Sequence, residues 1–112
     1  MSVPEPVPLA PRDLLILSVL SSGPLHGYGI VRAVEERSQS RVLLDPANLY
    51  RALRRMRRDG WIREHEERDA DPRRRTFTLT RTGQAVLRAE VTRLEQLLRE
   101  VRPLVAQGSG RR

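Results

Sequence analysis

The C-terminal part of the chain carries an apolar repeat that constrains the fold more than any other feature. Six aliphatic residues follow one another at spacings of four, three, four, three and four: Leu87, Val91, Leu94, Leu98, Val101 and Val105. This alternation is typical of a long helix that packs along another helix. The stripe could belong to the core of one chain, but the preceding segment already contains the elements of a closed domain. We therefore predict a dimerisation helix over residues 81–106, paired with a second copy.

The length and composition bound the remaining possibilities. A chain of 112 residues holds one compact domain and an additional helix. Aromatic residues make up only 4% of the sequence, so the core must be mainly aliphatic, which suits packed helices. The 21 basic residues, all of them arginine, exceed the 14 acidic ones and give a net charge of +7. This excess favours a polyanionic partner through the release of counterions.

Several classes of protein are disfavoured by what the sequence lacks. Without cysteine there is no disulfide framework, thiol nucleophile or cysteine-based zinc site. The longest nearly apolar run, residues 14–20, is too short to span a bilayer. The first residues lack the features of a signal peptide, and we expect a cytoplasmic protein with no membrane contact. Residues 1–11 hold four of the eight prolines and are predicted to form a flexible arm, and residues 107–112 a disordered basic tail.

Three helices and a hairpin are predicted before the long helix. The helices cover residues 12–21, 27–37 and 46–59; the third has the clearest start, because Asp45 can cap it and Pro46 suits its first position. Two strands, over residues 61–68 and 73–80, follow with a turn between them. Pro103 is an uncertain break in the last helix. The predicted fold is mainly α with a small β-hairpin, namely a winged helix-turn-helix domain over residues 12–80 plus a long C-terminal dimerisation helix.

The third helix carries the functional signal. Residues 46–58 contain five arginines and no acid. With Leu49 placed inward, helix geometry puts Leu53 and Met56 on the same side and Arg51, Arg54 and Arg58 on the opposite side. A basic face can simply be solvated, but no acid at i−4 or i+4 within this helix offsets the repulsion. A helix of this kind fits the major groove of DNA, and we predict contact with nucleic acid.

A second basic cluster lies at the predicted hairpin tip. It consists of Arg73, Arg74 and Arg75, next to Asp69 and Asp71. The cluster is either a polar turn whose charges neutralise one another or a wing that follows the phosphate backbone. Its position beside a basic helix favours the wing.

Four blocks of sequence carry a family resemblance. The connection Gly23-Pro24-Leu25-His26-Gly27-Tyr28 resembles the motif that joins the first two helices of PadR-type transcriptional regulators. The later runs at residues 48–53, 59–62 and 74–83 resemble the recognition helix, the turn into the wing and the join from the wing to the last helix. Together the blocks extend over most of the chain in the family's order, which makes the resemblance far more specific than any single block.

The resemblance implies a function and a set of site residues. PadR-type regulators are homodimers, usually repressors on palindromic operators, that release double-stranded DNA when a small hydrophobic or aromatic effector binds near the dimer interface. Trp61 and the contact between the first and last helices are candidate walls for such an effector. The residues expected to contact DNA are Tyr28, Asn48, Tyr50, Arg51, Arg54, Arg55, Arg73, Arg74 and Arg75.

Other functions find less support in the residues. No phosphate loop, nucleophile elbow or carboxylate pair is present, so we predict neither an enzyme nor a cofactor. The acids between Glu64 and Asp71 alternate with arginines, which indicates a solvated hairpin and not a metal site. A dimeric adaptor that uses the winged fold to hold a protein partner is the alternative function. An RNA-binding role is weaker, because aromatic residues for base stacking are scarce.

Overall fold

The computed structural model describes residues 8–65 and 75–110. Within these ranges the chain forms four helices and three short strands in the order α, β, α, α, β, β, α. They are α1 (Pro11–Leu20), β1 (Leu25–His26), α2 (Gly27–Arg37), α3 (Pro46–Arg58), β2 (Ile62–His65), β3 (Thr76–Leu79) and α4 (Arg81–Gly110). The predicted class, mainly α with a small antiparallel β element, is confirmed.

The core lies between the first three helices and the sheet. α1 is enclosed, as its nearly continuous apolar sequence predicts, with Ile16 and Leu17 completely buried. Further buried side chains, mostly aliphatic, come from α2, α3, β2 and β3 and include Ile30, Val34, Leu49, Leu53, Met56, Ile62 and Phe77. The domain thus closes around its own apolar side chains before α4 adds to it.

The sheet contains a strand that the sequence did not predict. β1 pairs with β3 in antiparallel fashion, with Leu25 opposite Phe77, and the strand order is β1-β3-β2. Two residues are too few to show an alternating pattern. The Gly-Pro-Leu-His-Gly-Tyr connection therefore gave no indication of β1. Within the described residues, β2 pairs with β3 from Ile62 opposite Leu79 to His65 opposite Thr76. The predicted turn at residues 69–72, together with Arg73 and Arg74, lies outside the described residues.

Both ends of α3 are fixed by local hydrogen bonds. Asp45 caps the start as predicted, because its Oδ1 accepts the backbone N–H of Asn48 at 2.8 Å. At the other end Gly60 has a φ of 80°, and the N–H of Trp61 donates to the carbonyl of Met56 at 2.9 Å. With the N–H of Gly60 bonded to the carbonyl of Arg57, this is a Schellman motif, in which glycine avoids the strain of a left-handed residue. α3 therefore ends within one residue of the predicted boundary.

A tight joint connects α3, the sheet and α4. The Thr80 hydroxyl donates to the carbonyl of Gly60 at 2.6 Å and accepts the N–H of Gly83 at 3.0 Å. A Cβ on Gly83 would overlap the carbonyl oxygen of Trp61 and lie 2.7 Å from Cδ1 of Leu79. Glycine is thus required at position 83 for the start of α4 to approach the α3–β2 turn.

The two terminal segments differ from their predicted description. α4 continues to Gly110 with Pro103 inside it, so residues 107–110, expected in a disordered tail, are helical. At the other end, α1 begins at Pro11 and the half-buried Leu9 packs against the core, although both were expected in the flexible arm. Residues 1–7 lie outside the described ranges. Local composition predicted loose ends because it does not register contacts with distant elements.

The contact that holds Leu9 is made by a buried carboxylate on α4. Glu90 is 1% exposed, and its Oε2 accepts the backbone N–H of Leu9 at 2.7 Å. Arg93 donates to both carboxylate oxygens, at 2.6 and 2.9 Å. The hydrogen bonds from Arg93 lower the pKa of Glu90 in spite of burial, which opposes the charge, and the bond from Leu9 lowers it further. The ion pair therefore anchors the segment before α1 to α4.

Candidate nucleic-acid interface

The outer face of α3 is basic, as the helix geometry predicted. Leu49, Leu53 and Met56 are buried, whereas Arg51, Arg54, Arg57 and Arg58 are exposed on the other side. The helix is therefore held by its apolar stripe and presents guanidinium groups outward. Guanidinium forks match both phosphate oxygens and the acceptors on guanine.

The arginines of α3 differ in their partners. Arg57 donates to Glu64 on β2 at 2.6 Å, and Arg58 lies 3.7 Å from Asp59. Within the described ranges neither Arg51 nor Arg54 has an acidic partner. The helix itself contains no acid, as noted from the sequence, but acids outside it neutralise part of the repulsion among its five arginines. The positive charge left for another molecule is concentrated at positions 51 and 54.

Arg55, which the sequence placed among the DNA-contacting residues, makes an ion pair within the domain. Its Nη2 donates to Oδ2 of the buried Asp13 on α1 at 2.6 Å. The side chain of Arg55 is only partly exposed, since it reaches across to the neighbouring helix. A guanidinium held in this way ties α3 to α1. We therefore assign Arg55 a structural role.

Two exposed tyrosines, Tyr28 and Tyr50, lie in the N-terminal parts of α2 and α3. Tyr28 is 71% exposed, and the guanidinium carbon of Arg32 lies 6.0 Å from the centre of its ring. Tyr50 is also exposed, and its hydroxyl would lie 3.0 Å from a Cβ on Gly27. The absence of a side chain at Gly27 thus lets α3 approach α2. Arg32 was not among the predicted residues, although its spacing of four from Tyr28 on one helix could have indicated it.

Asn48 has a second role that the sequence indicated only in part. Its Nδ2 donates to Oδ2 of Asp45 at 2.6 Å, while its backbone N–H bonds the other carboxylate oxygen. The side chain is half-buried and belongs to the cap of α3. Any contact between Asn48 and another molecule must therefore share its amide group with the cap.

A shallow groove of about 290 Å³ separates α3 from the wing strands. Its lining includes Tyr50, Arg54 and Arg57 from α3, Glu64 from β2, and Arg75, which directly precedes β3. Glu64 lies between the two elements, since its Oε1 also accepts from Arg75 at 3.4 Å. Arg75 is the one residue of the predicted wing cluster inside the described ranges; Arg73 and Arg74 lie outside them. The sequence pattern indicated Glu64 only as one acid of a solvated hairpin, because its contact with α3 depends on tertiary packing.

The apolar stripe of α4 is largely uncovered in the single chain. Leu87 and Leu94 are half-buried, whereas the other four predicted seam residues are 40–60% exposed: Val91, Leu98, Val101 and Val105. Leu97 and Leu104, which we did not predict, are exposed as well. The apolar surface is therefore broader than one heptad seam. A helix of 30 residues is about 45 Å long, and its second half extends away from the domain as an apolar face.

Two further features bear on the class of protein. No helix in the described part of the chain is long and apolar enough to cross a membrane. The same residues contain no group of three or more histidine or acidic side chains placed to hold a metal ion. The order of three helices, two wing strands and a long helix, with β1 completing the sheet, defines a winged helix-turn-helix protein.

Comparisons with known proteins specify the family. Residues 16–89 match the model of the transcriptional regulator PadR-like family. The chain belongs to this family, as the four sequence blocks predicted. Its members are transcriptional regulators and not enzymes, and membership implies a role in DNA-binding regulation.

Solved structures agree with this assignment. A transcriptional regulator from Clostridium thermocellum superposes with a TM-score of 0.71 at 23% identity, over 83% of this chain and 91% of the other. A PadR family transcription regulator from Clostridium difficile superposes with a TM-score of 0.66 at 25% identity, over 90% of this chain and all of the other. These likenesses support the winged fold with its long C-terminal helix.

One relative differs greatly in size. A 37.1 kDa protein encoded in a transposon of Streptomyces fradiae is 39% identical over 85 residues, or 76% of this chain. The chain spans only 23% of the length of that protein. The likeness therefore covers only a part of the larger protein.

Proposed function

We propose that the protein is a homodimeric repressor that reads a palindromic operator with α3. The observation that carries this proposal is the pair Arg51 and Arg54, exposed on α3 and without an acidic partner among the described residues. Both lie directly opposite the buried apolar stripe, so the domain presents them as a rigid unit. Arginine at such a position can donate two hydrogen bonds to O6 and N7 of guanine.

The residues around this pair supply the remaining contacts. Tyr28 and Tyr50 border α3 at its N-terminal end, where recognition helices contact base edges. Arg75, with Arg73 and Arg74 beside it in the sequence, serves as the wing that follows the phosphate backbone. The proposed DNA-contacting set is thus the predicted one without Arg55, with Asn48 acting mainly through the cap of α3.

The apolar face of α4 supports the dimer. A soluble regulator that left this face in water would expose a continuous apolar patch, which a second copy of the same helix can cover. Two copies related by a twofold axis present two recognition helices, and their spacing sets the separation of the operator half-sites. We therefore expect a palindromic or near-palindromic site.

We propose that a small hydrophobic or aromatic effector regulates DNA binding, and this response has two grounds. It rests on the family resemblance and on the half-buried Trp61, which packs on the core beside the joint at Thr80. A hydrophobic or aromatic molecule bound there, or between α1 and α4, would change the angle of α4 and hence the spacing of the recognition helices. Coupling of this kind is typically about 1–3 kcal/mol.

Selection of bound duplexes from a random pool tests the proposed function. We expect the full chain to enrich a palindromic sequence with two half-sites about one helical turn apart. Enrichment of no sequence, with weak binding to all duplexes, would contradict sequence-specific regulation and favour the adaptor. Enrichment of a single, asymmetric half-site would retain DNA reading but contradict the symmetric dimer.

A further inference from the structure

Glu64 occupies an unusual place within the basic surface. Its carboxylate lies in the groove between α3 and the wing strands, with the side chain only 14% exposed. One oxygen accepts from Arg57 at 2.6 Å and the other from Arg75 at 3.4 Å. A single acid thus bridges the recognition helix and the base of the wing.

The geometry resembles the binding of a phosphate group. Two guanidinium groups from different elements converge on the two oxygens of one anion, as they do when arginines hold a phosphate. Each guanidinium has five N–H donors, so the bridge leaves donors on Arg57 for another acceptor. Arg54 lines the same groove and has no acidic partner within the described ranges. Among the described residues that line the groove, three arginines face one glutamate, which lowers their combined positive charge by one.

We propose that Glu64 is a specificity-determining residue, an internal anion that weakens binding to arbitrary DNA more than binding to the operator. This inference rests on the proposed function. A non-specific complex depends almost entirely on charge. Repulsion between the Glu64 carboxylate and the phosphates therefore weakens this complex without any compensating contact. In the operator complex the base contacts fix the register, and Glu64 also orients Arg57 and the proposed backbone contact Arg75. In the operator complex, the repulsion between Glu64 and the phosphates is therefore partly offset, because Glu64 holds the arginines in a fixed orientation.

The variant Glu64→Gln tests this inference, because the amide keeps the size of the side chain and removes its charge. Glu35→Gln is the matched control: Glu35 is exposed on α2 and makes no ion pair within the described ranges. Both variants change the net charge equally. Affinity for the selected operator and for a scrambled duplex of equal length is measured for each protein from 50 to 200 mM salt.

For Glu64→Gln we expect tighter binding to the scrambled duplex and a smaller ratio of operator to scrambled affinity. The slope of log K against log salt on the scrambled duplex should steepen by roughly 0.9, the value for one additional phosphate contact. Over this range of salt the variant should then lose about three- to fourfold more affinity than the wild type. Glu64→Asp keeps the charge and should retain a slope close to that of the wild type.

Three outcomes would overturn the inference. Glu64→Gln could behave like Glu35→Gln, which would mean that the position of the charge is unimportant. It could lower both affinities with an unchanged slope, as a merely structural residue would. Glu64→Asp could change the slope as much as Glu64→Gln, which would indicate packing instead of charge. A wild-type protein that selects no operator would instead contradict the proposed function itself, so the two failures are distinguishable.

Discussion

At the scale of single residues, the carboxylate of Glu90 determines how the start of the chain meets the long helix. This buried carboxylate accepts one hydrogen bond from the backbone N–H of Leu9 and two from the guanidinium of Arg93. An acid in such a place stabilises the fold only while it is ionised. Its contribution should therefore depend on pH.

We predict that Glu90→Gln lowers the free energy of unfolding at pH 7 by about 1–3 kcal/mol, because charge-assisted hydrogen bonds are replaced by neutral ones. The Arg93 hydrogen bonds lower the pKa of Glu90 in the folded state. The stabilisation is therefore complete above the ordinary glutamate pKa of about 4.3 and is lost as the pH falls through the lowered value. Urea unfolding of wild type and variant at pH 7 and pH 3, at one protein concentration, measures the difference.

The exposed Glu95 on α4 provides a control for this prediction, because Glu95→Gln removes the same charge from the same helix. We expect it to change stability little at either pH. An equal loss of stability at pH 7 and pH 3 in Glu90→Gln would show that the shape of the side chain matters and its charge does not.

The arginines of α3 show why residue roles were only partly predictable. Helix periodicity placed Arg51, Arg54 and Arg58 on the exposed face, because that depends on local geometry alone. It could not place Arg55, whose partner Asp13 is 42 positions away. It could not assign Glu64 either, since the contacts of that acid depend on how the sheet packs beside α3. Partners distant in sequence follow from tertiary structure, which a local pattern does not contain.

At the scale of elements, the joint at the start of α4 connects α3 to the proposed dimerisation helix, α4. Thr80 and Gly83 form it with the backbone of Gly60 and Trp61. The joint thus connects the end of α3 directly to the start of α4, in addition to the separate contact of Glu90 with Leu9.

We predict that Gly83→Ala destabilises the protein by roughly 1–3 kcal/mol, the usual cost of inserting a methyl group where no space exists. The added Cβ would overlap the carbonyl of Trp61, a backbone atom that cannot rotate away. Gly108→Ala is the matched control, since it lies on the same helix with open space around it and alanine favours helix. Thermal unfolding measures both. A Gly83→Ala variant as stable as Gly108→Ala would contradict the described joint.

The apolar face of α4 leads to a prediction about assembly. Replacement of Leu94 and Leu98 by glutamate places four charges in the shared interface of a dimer, and we expect a monomer. Light scattering at tens of micromolar measures the mass, and circular dichroism shows whether the helices remain. Thr92→Glu with Gln96→Glu serves as the control, because both positions are exposed and polar on the same helix.

The dimer prediction can fail in two ways. A wild-type protein that is monomeric at these concentrations would mean that the apolar stripe of α4 does not pair with a second copy. A double variant at Leu94 and Leu98 that remains dimeric, with its helices intact, would place the interface elsewhere. In either case the palindromic operator would lose its structural basis.

At the scale of the whole molecule, the order of the elements was predictable, and the contacts between them were not. Apolar periodicity, the Asp45 cap and Gly60 located α3 and the long helix, since these signals act within a few residues. The two-residue strand β1 and the anchoring of Leu9 by Glu90 escaped, because each exists only through a partner more than 40 positions away. The continuation of α4 through Pro103 to Gly110 also exceeded what composition indicated.

We propose that α3 contacts base edges while the wing contacts the phosphate backbone. A comparison of Arg51→Ala and Arg54→Ala with Arg75→Ala tests this division of roles. Base preference and salt dependence are measured for each protein on the selected operator and its single-base variants. Each α3 variant should lose about 1–3 kcal/mol of operator binding and relax preference at particular base pairs. Arg75→Ala should weaken all duplexes about equally and make the salt slope shallower by roughly 0.9. A changed base preference in Arg75→Ala, with preference intact in both α3 variants, would contradict the assignment of α3 as the recognition helix.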